Sequence, residues 1–179
     1  MVRGLLVSLC LLGVVSLTAP ASAGDKVEKG FTRLDNGKDL SAWSGNTTGW
    51  SIKEGAIYLD AKKAKGSIYA KATHSKNAVI RMEFNAAERA DSGVFIYGKQ
   101  LQVRDYPKAG PKQYAKAAKP AGQWNSLEFD ITDGVAVVKL NGQVIEKAWR
   151  IGNKADKGVG LQRERGNFLF RNIRIMEKK

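Results

Sequence analysis

The stretch DSGVFIYGKQLQVRD, from Asp91 to Asp105, predicts a β-hairpin near the middle of the chain. Two runs of β-favouring residues, VFIY and QLQVRD, flank Gly98 and Lys99. A glycine followed by one other residue is a common two-residue turn between antiparallel strands. We therefore expect two short strands joined at Gly98 and Lys99.

The second of these strands has a polar and an apolar face. Successive side chains alternate across a sheet, so Gln100, Gln102 and Arg104 share one face, and the leucine and valine between them share the other. A row of amides beside a guanidinium suits a polyhydroxylated ligand such as a sugar. The same alternation is also typical of a solvent-exposed face of an antiparallel sheet.

The first 23 residues have the pattern of a secretory signal peptide. Arg3 supplies the positive start, LLVSLCLLGVVSL the apolar segment, and residues 21–23 (ASA) a small-residue cleavage site. The apolar run is too short for a convincing membrane span. We expect an exported protein, periplasmic or extracellular, that does not stay inserted in a membrane after cleavage. Its mature part lacks cysteine, because Cys10 lies within the signal, which excludes disulfides, thiol nucleophiles and cysteine-ligated metals.

The charge of the mature chain favours anionic neighbours. Cleavage would remove one of the 30 basic residues and none of the 17 acidic ones, which leaves a net charge of about +12. Such a balance suits acidic glycans, wall polymers or phospholipid surfaces. The basic residues are scattered, with no arginine-rich arm or nucleic-acid motif, so we expect no nucleic-acid partner.

Short alternating runs separated by turns continue through the chain. After a polar lead-in at residues 24–29, residues 30–179 contain some ten such runs and no convincing helix, which predicts one antiparallel β-sandwich or barrel domain. One run, AVIRMEFNA, places Arg81 and Glu83 together on its polar side. Residues 106–122 hold three of the four prolines and four lysines, which indicates a long loop, either a functional lid or a disordered basic linker.

The order of several motifs resembles the 3-keto-disaccharide hydrolase domain family, formerly a domain of unknown function. The matching pieces cover nearly the whole mature chain and are, in order, GFTRLDNGKDLSAW, WSIKEGAI, SGVF, LQVRD, PAGQWNSLEFDI, LNG, GVGLQ and FRNIRI. The resemblance implies a concanavalin A-like jelly roll, which is an antiparallel β-sandwich. It also implies a secreted hydrolase that acts on glycosides already oxidised to a ketone at sugar C3.

Such a reaction has defined chemical needs. A 3-keto group acidifies the C2 proton, so a base can remove it, the C1 substituent can leave by elimination, and water can add to the resulting enone. The enzyme needs a base, a donor for the ketone or leaving oxygen, and a polar cleft. A divalent metal could act as the electrophile.

Two positions differ from the family pattern. In the family that the chain resembles, many members have a glutamate at the position of Gln100 and a histidine shortly after the match to Leu161 and Gln162. Residues 163–165 here are Arg-Glu-Arg. An amide cannot take a proton and an arginine stays charged, so two acid-base positions of the family pattern are altered together here.

Three carboxylates remain as predicted catalytic groups, namely Asp105 beside the long loop, Glu83 and Glu164. Each also has a structural explanation: a turn cap for Asp105, a surface ion pair for Glu83, and a solvated loop acid for Glu164. His74, the single histidine, is more consistent with an exposed connection than with a metal site. The predicted substrate-binding residues are Gln100, Gln102, Arg81, Tyr114, Trp124, Asn125, Gln162 and Arg163.

A second hypothesis keeps the sandwich without the chemistry. The missing glutamate and histidine favour a basic envelope protein that binds glycans or anionic polysaccharides. In both hypotheses the partner is a carbohydrate, and both require polar side chains from neighbouring strands to gather in one sugar-sized cleft.

Overall fold

The computed structural model describes residues 27–154 and 156–179, and this part of the chain is almost entirely β-structure. The predicted signal peptide, residues 1–23, lies outside the described residues. Within the described ranges, no helix combines the length and apolar character that a membrane-spanning helix needs.

The described residues form thirteen strands and two one-turn helices. The strands are β1 (Thr32–Arg33), β2 (Trp43–Gly45), β3 (Trp50–Lys53), β4 (Ala56–Leu59), β5 (Ile68–Ala70), β6 (Ala78–Ala86), β7 (Asp91–Ile96), β8 (Lys99–Arg104), β9 (Asn125–Thr132), β10 (Val135–Leu140), β11 (Gln143–Arg150), β12 (Val159–Leu161) and β13 (Phe168–Glu177). The helices are α1 (Tyr106–Ala109) and α2 (Lys112–Ala115).

These strands form two antiparallel sheets, which confirms the predicted sandwich. The eight-stranded sheet has the order β11-β10-β9-β6-β13-β4-β3, with β1 paired to β13. The five-stranded sheet has the order β2-β5-β12-β7-β8. Because every pairing is antiparallel, each sheet can bury one face and expose the other to water.

Alternating side chains fill the space between the sheets. In β6, Ile80, Met82 and Phe84 are essentially inaccessible to solvent, and in β7 Val94 and Ile96 are equally buried. Phe84 packs edge to face against Tyr106, and Phe168 stacks on Phe170. Full burial of one such side chain stabilises the fold by roughly 1.5–3 kcal/mol.

The hairpin of β7 and β8 occurs as predicted, but its turn lies one residue earlier. Tyr97 and Gly98 form the turn, with φ of 50° and 81°, and Lys99 already pairs with Ile96. Two successive positive φ values match the twist of the flanking strands, which explains why this turn is preferred over one at Gly98 and Lys99.

Residues 106–122, which we call the strap, pack against both sheets. The Tyr106 hydroxyl donates to the Gln102 carbonyl on β8 at 2.6 Å, and the Tyr114 hydroxyl donates to the Glu146 carboxylate on β11. The two tyrosine rings meet edge to face, with centroids 5.6 Å apart. The expectation of a disordered linker is therefore wrong, because two short helices and two buried tyrosines attach this segment to the sheets. The expectation of a lid stays a prediction.

The segment before β1 lies on the outer face of the eight-stranded sheet. The Glu28 carboxylate accepts hydrogen bonds from Arg174 at 2.6 Å and from Arg81 at 3.4 Å. The Phe31 ring lies 4.8 Å from the Arg81 guanidinium and 5.6 Å from that of Arg174. These contacts hold residues 28–31 against the sheet.

Candidate functional site

The outer face of the five-stranded sheet carries the side chains best suited to bind a ligand. Strand pairing places Tyr69, Gly160, Phe95 and Gln100 in one row across β5, β12, β7 and β8. A second row contains Gln162, Gly93 and Gln102. We call these two rows the amide face.

Two of the glutamines bind each other across the face. Gln100 Nε2 donates to Gln162 Oε1 at 2.8 Å, and Gln162 Nε2 lies 3.5 Å from Gln100 Oε1. The pair lies over Gly93, where a Cβ atom would come within 2.7 Å of Gln100 and 2.8 Å of Gln162. Gly93 is therefore needed for the amides to lie flat against the sheet.

The third glutamine is available to a ligand. Gln102 is half-buried, and its side-chain amide makes no hydrogen bond within residues 27–154 and 156–179. An amide offers both donors and an acceptor, the combination that sugar hydroxyls require.

Two aromatic rings lie beside the amides. Tyr69 and Phe95 both stand opposite Gly160, and their ring centroids are 5.7 Å apart. A Cβ atom on Gly160 would be only 2.5 Å from the Tyr69 ring, so the glycine leaves room for that ring on the sheet. Burial, and secondarily the nearby Asp156 carboxylate, raises the pKa of Tyr69, which therefore stays neutral. Rings beside amides can contact both the apolar and the hydroxylated surfaces of a sugar.

The acid on this face is engaged in an ion pair. Asp91 is buried and accepts from Arg104 Nε at 2.7 Å, while Arg104 Nη1 donates to the Ala109 carbonyl of the strap at 3.0 Å. Asp91 therefore fixes the arginine and is not free to take a proton from a substrate.

The loop after β12 borders the amide face. Arg163 Nε donates to the Ala64 carbonyl at 3.0 Å, and Nη2 donates to the Ala61 carbonyl at 3.2 Å. The next residue, Glu164, is half-buried, and its carboxylate forms no ion pair with the described part of the chain. Glu164 lines a hollow with Ala61, Lys62 and Ala87. Among the described residues it differs from Glu83 in having no ion pair and from Asp105 in being only half-buried.

The expectation that Glu83 shares a cleft with Gln102 is wrong. Glu83 lies on the outer face of the eight-stranded sheet, where it accepts from Arg171 Nε at 2.7 Å and from Asn172 at 3.1 Å. Arg81 lies on that same face and pairs with Glu128 at 2.8 Å. A hollow exists there, but the acids that line it are held in ion pairs.

Asp105 also lies away from the amide face. Its side chain is 2% exposed and accepts the Arg89 backbone N–H at 2.9 Å. It precedes α1 without capping it through its side chain. It directly follows β8 and lies on the buried side, so it stabilises the start of the strap and cannot reach a ligand on the outer face.

Three predicted substrate-binding residues have structural contacts elsewhere. Tyr114 is buried against Glu146, and Asn125 is buried and accepts from the Lys119 N–H and from Asn141, each at 2.8 Å. Trp124 stacks with the Arg171 guanidinium at 3.8 Å. Together with Arg81, these residues are not part of the amide face, whereas Gln100, Gln102, Gln162 and Arg163 are in or beside it.

A metal centre is not supported by the side chains in the described ranges. No group of three or more His, Asp, Glu or Cys residues there could hold a metal ion. His74 is partly buried against Tyr97, with ring centroids 5.0 Å apart, and burial lowers its pKa. It therefore packs in the fold, contrary to the expectation that it is exposed.

Several residues of the amide face were missed from the sequence. Phe95 and Gly93 could have been found, because alternation along β7 places them on the side opposite the buried Val94 and Ile96. Tyr69 and Gly160 gave no such signal, since each lies in a strand of only three residues.

The fold is shared with solved structures of low sequence identity. A crystal structure of a candidate glycosyl hydrolase from Parabacteroides distasonis matches with a TM-score of 0.69 and 17% identity, covering 84% of this chain and 95% of that one. A second such protein from the same organism matches at 0.65 and 19%, covering 83% and 99%. A Bacillus subtilis protein of unknown function with a galectin-like fold matches at 0.54 and 11%, covering 77% and 90%. These likenesses confirm the jelly-roll sandwich.

The family assignment comes from the sequence as a whole. No curated protein is significantly similar to the chain. The family model described as a 3-keto-alpha-glucoside-1,2-lyase-like domain matches residues 30–176, nearly all of the described structure. Because the match covers most of the chain, the chain belongs to the 3-keto-alpha-glucoside-1,2-lyase-like domain family.

Proposed function

We propose that this protein is an exported enzyme that cleaves 3-keto-glycosides on the amide face. The observation that carries the proposal is the free Gln102 amide beside the Gln100–Gln162 pair and the Tyr69–Phe95 rings. Family membership supports the substrate class, and the pattern of residues 1–23 supports export.

The reaction has two stages. A base removes the C2 proton, which the C3 ketone acidifies, and the electron pair moves through the enolate to expel the C1 oxygen, giving an enone and the free leaving group. Water then adds across the enone at C1 and C2, so that the net result is hydrolysis. If water does not add, the same first stage makes the protein a lyase.

Amide side chains would bind the sugar in this proposal. Gln102 and the Gln100–Gln162 pair offer donors to hydroxyl and ketone oxygens and acceptors to hydroxyl protons. The rings of Tyr69 and Phe95 would contact the apolar face of the sugar.

Glu164 is our proposed base. It lies two residues after Gln162, in the loop that follows β12, and its carboxylate makes no ion pair with a described residue. Asp91 is a poorer choice because Arg104 already binds it at 2.7 Å. We assign no step to a metal.

The test is to incubate the protein with a 3-keto-disaccharide and to separate the products by chromatography. We expect release of a monosaccharide or of its enone. Removal of a general base typically costs about 10²–10⁴-fold in rate, so Glu164→Gln should lose at least about 100-fold in kcat while still binding the disaccharide.

Glu54→Gln is a matched control, since Glu54 lies exposed in the β3–β4 turn and undergoes the same chemical change. It should keep full activity. No product from the unmodified protein would contradict the enzyme proposal. Full activity in Glu164→Gln would contradict only the assignment of the base.

A second candidate function is glycan binding without turnover. It is favoured by the amide of Gln100, which binds Gln162 and stands where many members of the resembled family carry a glutamate. In that case the same incubation would show binding of the disaccharide, saturable and blocked by alteration of Gln102, but no released product.

A further inference from the structure

Arg163 is held in place without being neutralised. Its guanidinium donates to the carbonyl oxygens of Ala64 at 3.0 Å and Ala61 at 3.2 Å, and no carboxylate of the described residues lies within ion-pair distance. Carbonyl oxygens orient a guanidinium but carry no net charge. The positive charge at this position is therefore preorganised and uncompensated.

Other fixed arginines of the described chain differ in this respect. Arg104 is bound by Asp91 at 2.7 Å, Arg171 by Glu83 at 2.7 Å and Arg174 by Glu28 at 2.6 Å. Each of these guanidinium groups has a carboxylate that satisfies it within the protein. Arg163 retains the capacity to bind an anion from outside.

The position of Arg163 ties this charge to the amide face. The Arg163 backbone N–H donates to Ser67 Oγ at 3.2 Å, and Ser67 immediately precedes β5, on the same side of that strand as Tyr69. Gln162, the neighbour of Arg163 in the chain, belongs to the amide pair. Arg163 is exposed, and its backbone follows directly on Gln162 of the amide face.

Further basic residues surround the same face. Lys157 Nζ lies 4.3 Å from the centroid of the Tyr69 ring, and Lys154 packs over Gly98 at the β7–β8 turn. These two lysines add positive charge beside the face, and basic groups attract anionic ligands before they make contact.

From these observations we infer that the glycoside bound on the amide face carries an anionic group, a carboxylate or a sulfate, that binds Arg163. This inference rests on the proposed function only in that the face binds a sugar. A planar guanidinium matches the two oxygens of a carboxylate or sulfate and forms stronger hydrogen bonds with them than with neutral groups.

The test compares each anionic ligand with its neutral counterpart. Tetragalacturonate is compared with its methyl ester, and a sulfated galactan tetrasaccharide with its desulfated form. A neutral 3-keto-disaccharide, measured in the Glu164→Gln background, serves as the reference ligand. Dissociation constants are measured by calorimetry on the full protein at fixed ionic strength. Charged hydrogen bonds are worth about 1.5–3 kcal/mol, so we expect an anionic form to bind at least about tenfold more tightly than its neutral counterpart.

Two variants separate specific from general attraction. Arg163→Gln should reduce the preference for the anionic form about tenfold. Arg150→Gln loses the same charge from an exposed position on β11 and should change it less than about twofold. A preference for tetragalacturonate over its ester identifies a uronate as the source of the anion, and a preference for the sulfated galactan identifies a sulfate.

Three results would overturn the inference. Equal affinity for charged and neutral forms would do so, as would equal losses in the two variants, which would indicate attraction by net charge alone. Binding of the 3-keto-disaccharide without binding of any tetrasaccharide would refute the inference and leave the proposed function intact. Absence of binding by all ligands would refute both.

Discussion

The Gly93→Ala substitution is expected to separate binding from stability. A Cβ at residue 93 would lie 2.7 Å from Gln100 Cγ and Nε2 and 2.8 Å from Gln162 Oε1. Non-bonded heavy atoms normally approach to about 3.5–4.0 Å, so the amide pair must move by about 1 Å. The atoms in the way are the mobile parts of two half-buried side chains, which can rotate outward without disturbing the strand.

The expected effect on stability is small because two contributions oppose each other. Replacement of a strand glycine by alanine stabilises a fold by roughly 0.5–1 kcal/mol. Loss of the amide hydrogen bond costs about 0.5–1.5 kcal/mol. The free energy of unfolding should therefore change by less than about 1 kcal/mol, whereas affinity for a sugar should fall about tenfold because the amides no longer have their positions.

Urea unfolding measures the stability, and calorimetry with a 3-keto-disaccharide in the Glu164→Gln background measures the affinity. Gly66→Ala is the matched control, since a Cβ there would meet its nearest neighbour, Asn46, at an ordinary 3.4 Å. An unchanged dissociation constant in Gly93→Ala would refute the view that the amide pair binds the sugar. A large loss of stability would refute the view that the pair can move aside.

Two further predictions concern stability. His74 is the single histidine of the chain, and burial lowers its pKa, so the folded state binds its proton less readily than the unfolded state. Its contribution to stability is present above about pH 6.5 and is lost as the pH falls below that value. We therefore expect the melting temperature of His74→Gln to change less between pH 7 and pH 5 than that of the unmodified protein. A pH dependence that persists in this variant would contradict this assignment. Tyr114→Phe removes the hydrogen bond to Glu146 and should lower the free energy of unfolding by about 1.5–3 kcal/mol with sugar binding unchanged. The control Tyr58→Phe, whose hydroxyl has no such partner in the described chain, should leave the free energy of unfolding almost unchanged. Equal losses of stability in the two variants would show that the strap is not held by this bond.

Sequence alternation predicted the faces of individual strands but not their sheets. The pattern of β8 correctly placed Gln100 and Gln102 on one outer face, because side chains alternate across a strand and the intervening Leu101 and Val103 are buried. The same rule correctly placed Glu83 on an exposed side. It could not tell that β6 belongs to the other sheet, since sheet membership depends on pairings between distant residues such as Glu83 with Arg171.

The remaining errors in the site have a similar cause. The sequence predicts Asp105 as a catalytic acid at the end of a strand, but the Arg89 N–H that binds it comes from a different loop. Tyr69 and Gly160 become neighbours only when β5 pairs with β12 across about 90 residues of sequence. Strand periodicity carries no information about such contacts.

The attachment of residues 28–31 to the eight-stranded sheet has a practical consequence for presenting the molecule on a surface. Glu28 and Phe31 bind Arg81 and Arg174 on the layer opposite the amide face. A biotin or affinity handle placed just before Glu28 would therefore tether the sandwich by its far side. Immobilised in this orientation, the molecule should present the Tyr69 and Gln102 side chains toward solution, where an array of oligosaccharides can be screened against them.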